Sequence, residues 1–190
     1  MKKKIATLLV LVMAAGTILA GCGKEGDSAA SNYEAAEAVN VLEDVWAAYG
    51  EDEKFFAMGG DYTTLVDGAP GKVDVSLVED VEALLVVPAD ATDMTDDAAS
   101  LIHAMNANTF TCSVFHVTEE GNMEAFANLV KERIENNQWM CGFPEELKIA
   151  NVNGQYVVVA FGAADVMSTF VGHLETVTGA EFVVEENLAQ

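Results

Sequence analysis

Two apolar runs, Leu147 to Val152 and Tyr156 to Phe161, meet at Asn153-Gly154, and no other stretch constrains the fold as tightly. Asn-Gly between strand-forming runs favours a two-residue turn in which both central residues take positive φ, so the runs are expected to form an antiparallel hairpin. Elements on either side extend that hairpin. Thr109 to Val117, "TFTCSVFHV", is rich in β-branched and aromatic residues and reads as a strand. From about Asn122 to Gln138, Met123, Phe126, Leu129, Val130 and Ile134 recur at helical spacing. Cys141-Gly142-Phe143-Pro144 breaks the chain before the hairpin. After it, Val166, Met167, Phe170, Val171 and Leu174 mark a helix from Ala163 to Val177, and Glu181 to Val184 reads as a last strand. The order β-α-β-β-α-β predicts a ferredoxin-like arrangement, an antiparallel sheet with helices packed on one face. In that arrangement Phe110, Cys112 and Val114 point toward the helices, and Thr111 and Ser113 point to a more open face.

Upstream, Ala35, Val39, Leu42, Trp46 and Tyr49 share one side of a helix that Gly50 ends. Residues 51–93 are less legible. Gly59-Gly60 and Gly68-Ala69-Pro70-Gly71 are breakers that do not fit the phosphate-binding pattern GxxxxGK[ST]. Ser76 and Glu79 are spaced as a capping box, and Leu84 to Val87 reads equally as helix or buried strand. Thr95-Asp96-Asp97 reads as a helix start, with Ala98, Leu101, Ile102 and Met105 on its apolar face and His103 opposite. The expected class is α+β: an N-terminal helix followed by the ferredoxin-like sheet, in one domain over 33–190.

The N-terminus carries a different kind of information. Lys2, Lys3 and Lys4 precede an uncharged run from Ile5 to Ala20, the layout of a secretory signal peptide. The run is short for a membrane span, which needs about 20 residues. Leu19-Ala20-Gly21-Cys22 resembles the lipobox of bacterial lipoproteins, which implies a signal over 1–21 and a lipidated Cys22 at the mature terminus. Two acyl chains there would anchor the chain stably, where one would not. Residues 22–32, rich in Gly, Ser and Ala, read as a flexible tether. Together with "TFTCSVFHVTEEGNMEAFANLVKERI" and "ANVNGQYVVVAFG", these features resemble a family of small Gram-positive lipoproteins whose α+β domain has no assigned function. The resemblance covers roughly the last half of the chain and implies an envelope lipoprotein on the extracytoplasmic side of the cell membrane.

Charge narrows the partners. Thirty-one acidic residues against nine basic give a formal charge of −22, which repels phosphate backbones, so no nucleic-acid partner is expected. With Cys22 lipidated, Cys112 and Cys141 remain: either a disulfide or two buried thiols. Cys112 and His116 lie about 13 Å apart along a strand, too far to act as nucleophile and base. His103, His116 and His173 fall on separate elements, and the carboxylates from Asp90 to Asp97 lack the spacing of an EF-hand loop. No catalytic residue, metal site or cofactor is therefore assigned. The expected role is a non-enzymatic binding or accessory module with a protein or small-molecule partner; the alternative is an envelope hydrolase or solute receptor.

Overall fold

The computed structural model describes residues 33–140 and 142–188. The signal segment 1–21, the tether 22–32 with Cys22, and Cys141 lie outside the described residues. Five helices and eight strands follow in the order α1 (Ala38–Ala48), β1 (Ala57–Gly60), β2 (Leu65–Asp67), β3 (Gly71–Val73), α2 (Val78–Leu85), α3 (Ala89–Thr92), β4 (Thr95–His103), β5 (Phe110–Val117), α4 (Met123–Glu135), β6 (Glu146–Val152), β7 (Tyr156–Gly162), α5 (Ala164–Thr178) and β8 (Glu181–Asn187). All eight strands join one sheet in the order β2-β1-β4-β5-β7-β6-β8, with β3 also alongside β4. Every neighbouring pair is antiparallel.

The expected hairpin is β6–β7, turning at Asn153 (φ 51°) and Gly154 (φ 76°). The two helices of the second half, the strand before them and the strand after them also fall where their periodicity predicts. The ferredoxin-like arrangement with helices on one face is not what they build. Such an arrangement puts the last strand beside the first, but here the free side of β5 is taken by β4. The last strand, β8, therefore lies beyond β6. Both crossovers, β5 to β6 and β7 to β8, now step the same way across the sheet from strands of opposite direction. Right-handed connections of that kind put their helices on opposite faces.

The packing agrees. Phe126, Ala127, Val130 and Ile134 of α4 join Val81 and Leu85 of α2 over Phe115, Ile149 and Val159 on one face. Met167, Phe170 and Leu174 of α5 join Leu42, Val45 and Trp46 of α1 over Phe110, Val114 and Val158 on the other. The sheet is the middle of three layers, and neither face is open along its centre. Thr111 and Ser113 are accordingly buried with their neighbours rather than solvent-facing. Thr111 Oγ1 donates to the Ala107 carbonyl, while Ser113 Oγ has no partner among the described residues.

Residues 95–103 are a strand, not the helix their first residues suggest. Ala98 to Ile102 are all buried. A strand covered on both sides loses the alternation that distinguishes it from a helix. Leu84 belongs to helix α2, which ends with Val86 in the left-handed region. The Ser76–Glu79 capping box does not form, since Ser76 Oγ donates to Asp74 Oδ1. The glycine breakers have a structural use. A Cβ on Gly59 would lie 2.3 Å from the Gly71 nitrogen, and one on Gly71 would lie 2.5 Å from the Gly60 nitrogen. Glycine at these positions lets β1 and β3 press together as they share one edge of β4.

Candidate functional site

The sheet has two ends, and the chain enters at one of them. The Asn153 amide at the β6–β7 turn donates to the Tyr33 carbonyl, and the Tyr156 hydroxyl donates to that of Ala35. This entry end is acidic. Asp97 Oδ2 accepts the Ala38 N–H at 2.6 Å and caps α1 across the sequence. The helix-start signal at residues 95–97 thus serves a helix N-terminus, that of α1 rather than its own segment. Asp96 Oδ1 lies 2.5 Å from His116 Nδ1. With Glu37 and Tyr156 these groups line a shallow hollow of about 400 Å³. Burial, followed by the charges of Asp97, Asp96 and Glu37, pushes the Tyr156 hydroxyl pKa up.

The opposite end is about 25 Å away, the length of the eight-residue β5. Three connections meet there: the approach to β1, the β4–β5 turn and the α4–β6 loop. Polar groups pin their backbones. The Ala104 N–H donates to the Phe56 carbonyl at 2.8 Å. Asn108 Nδ2 donates to the carbonyls of Met140 (2.7 Å) and Gly142 (3.1 Å), tying two loops through one side chain. With their backbones fixed in this way, four large apolar side chains face solvent: Met140 is 80% exposed, Met105 76%, Phe143 74% and Phe56 60%. These four belong to one end of the sheet, where exposed apolar side chains point to an interaction surface; Tyr62 and Leu65, also exposed, flank the β1–β2 turn in the other half. Sequence periodicity does not reveal the four as exposed: Met105 falls at the helical spacing of Ala98, Leu101 and Ile102 but lies in the turn after β4, and the others lie in connections. The one legible hint is the placement of Phe143 beside Gly142 and Pro144 in a breaker.

Among the residues singled out from the sequence, Cys112 is buried on the α1–α5 face. Burial drives its thiol pKa well up, which disfavours the nucleophilic thiolate. A bridge to Cys141, which follows α4, would be favoured by Cys112 lying on the α4 side, but Cys112 faces the layer on the other side of the sheet; Cys141, and any pairing with it, lies outside the described residues. The histidines stay apart: His103 stacks on Phe55, His116 pairs with Asp96, and His173 Nε2 lies 3.2 Å from Glu53 Oε2. The Gly50 N–H and then His173 hold the Glu53 pKa below its usual value. Asp90, Asp96 and Asp97 are divided among α3, His116 and the α1 cap. Among the described residues no three His, Cys, Asp or Glu side chains are grouped to hold a metal ion, and no helix is long and apolar enough to cross a membrane. Compared with known proteins, the chain matches no family model, no curated protein and no solved structure.

Proposed function

We propose that this chain is a lipid-anchored envelope protein, held at the outer face of the cytoplasmic membrane through Cys22, that acts without catalysis by docking a protein partner on its far end. The observation that carries this reading is the position of Phe56, Met105, Met140 and Phe143 at the end of the sheet opposite Tyr33. A tether over residues 22–32 reaches at most about 40 Å when fully extended and joins the domain at its acidic end. Attachment at that end keeps it nearest the membrane and leaves the apolar end outward, while the chain's net negative charge holds the domain off anionic head groups. The sequence-based alternative, a hydrolase or solute receptor, needs a hollow of titratable groups free to meet substrate. The nearest such hollow has Asp97 engaged in capping α1 and Asp96 engaged with His116.

The test is site-specific photo-crosslinking in intact cells from position 105 or 143, compared with position 34. Discrete adducts are expected from the first two positions and not from the third. They should vanish when Phe56 and Met140 are both replaced by Glu. Adducts equal at all three positions, or none at 105 and 143, would overturn the proposal.

A further inference from the structure

β8 is an edge strand, and among the described residues no strand pairs with its outer side. Two grooves open beside it on the α4 face. One, of about 630 Å³, is lined by Met123, Ala127, Val157, Val183 and Val184. The other, of about 680 Å³, is lined by Ile134, Trp139, Phe143, Pro144 and Leu188. Between them, Lys131 of α4 reaches Glu186 of β8 at 2.5 Å. Beyond the bulge at Val183, Val184, Glu186 and Leu188 alternate onto this face, while Glu185 pairs with Lys148 on the other. Val183 itself is 59% exposed on the open edge, where an apolar side chain invites pairing.

We infer that β8 accepts an extended cationic segment of a partner protein as an added antiparallel strand, with apolar side chains four residues apart seated in the two grooves. Resting on the binding-module reading, this gives the partner's chemistry. Strand addition draws affinity from backbone hydrogen bonds and specificity from alternate side chains. The antiparallel direction follows every other pairing in the sheet. Opposite Val184 and Leu188 the added strand needs apolar residues, and opposite Glu185 and Glu186 it needs basic ones. Read from its N-terminus, the matching segment is apolar, any residue, Lys or Arg, Lys or Arg, apolar. Charge selects the occupant. Glu124, Glu135, Glu145, Glu181, Glu185 and Glu186 surround the strand against Lys131 and Lys148. A second copy laid antiparallel over the same residues would set Glu186 against Glu186, and like charges directly opposed disfavour that pairing.

The experiment measures fluorescence anisotropy of a labelled ten-residue peptide with Leu-Thr-Lys-Lys-Leu at its centre, titrated with the full chain in detergent micelles. Three controls are a Glu-Glu peptide, a peptide N-methylated at alternate backbone positions, and the Val183→Lys variant, whose exposed site tolerates the change. Binding of the first peptide is expected, weakened about tenfold or more (~1.4 kcal/mol) by each control. Equal binding of the Glu-Glu peptide overturns the charge selection, and equal binding of the N-methylated peptide overturns strand addition. No binding of the first peptide overturns the inference while leaving the crosslinks at position 105, which lines neither groove, and with them the proposed function, intact.

Discussion

The same strands run through both ends of the sheet, yet the side chains at the two ends have different work. In the entry half, polar groups close the structure. Asp97 caps α1. Buried Asp61 accepts four hydrogen bonds, from the Thr63 N–H and hydroxyl, the Thr64 N–H and the Asp74 N–H, and so locks the β1–β2 turn to the end of β3. At the far end, the backbone is closed by Asn108 and by main-chain bonds, and the exposed Met and Phe side chains contribute nothing comparable. Side chains that folding does not require, and that water disfavours, are where binding is to be sought.

Replacing Asp61 by Ala should give the largest effect. It strands buried N–H donors and should cost about 3 kcal/mol by urea unfolding. Burial raises the Asp61 pKa, but the hydrogen bonds outweigh it and the net shift is downward. A depressed folded-state pKa means its stabilisation is complete above the unfolded carboxylate value near 4 and is lost as pH falls through the folded value. The gap between wild type and Asp61→Ala should therefore close in acid. A constant gap would show that the carboxylate's charge is not what holds the turn.

Asp97→Ala comes next, removing the α1 cap at a cost of about 1–2 kcal/mol. Thermal unfolding reads that loss, and an unchanged midpoint would remove the entry half's distinction. Exchanging Met140 and Phe143 for Glu and Asp should move stability by less than about 0.5 kcal/mol, while abolishing crosslinks from position 105. A large loss of stability instead would make the far end structural and erase the contrast. Smallest of all, the thiols should leave stability untouched. Cys112 faces away from α4, so both Cys112 and Cys141 should alkylate when unreduced protein is denatured, as mass spectrometry can read.

The second half was legible because its helices bury one stripe each and its hairpin turns on Asn153-Gly154. What sequence patterning missed is set by neighbours distant in the chain. Whether α4 and α5 share a face depends on which edge of β5 is free, and β4 occupies it. β4 was itself obscured, because Ala98 to Ile102 are covered on both sides and show no alternation. Gly59, Gly60 and Gly71 announce only a break; that two backbones cross there is a property of the assembled sheet. Of the far-end residues, Met105 carries a misleading signal, falling at helical spacing with Ala98, Leu101 and Ile102, while Met140 and Phe143 carry none, since they lie in a connection whose geometry Asn108 fixes.

Orientation at a membrane tests the central proposal most directly. The full chain, lipidated in cells and reconstituted in vesicles with a quencher in the lipid head groups, would carry a fluorophore at position 34 or at position 105. Strong quenching is expected at 34 and weak quenching at 105, as befits ends separated by about 25 Å, with both signals unquenched in the Cys22→Ser protein. Equal quenching at the two positions, or stronger quenching at 105, would contradict the proposal.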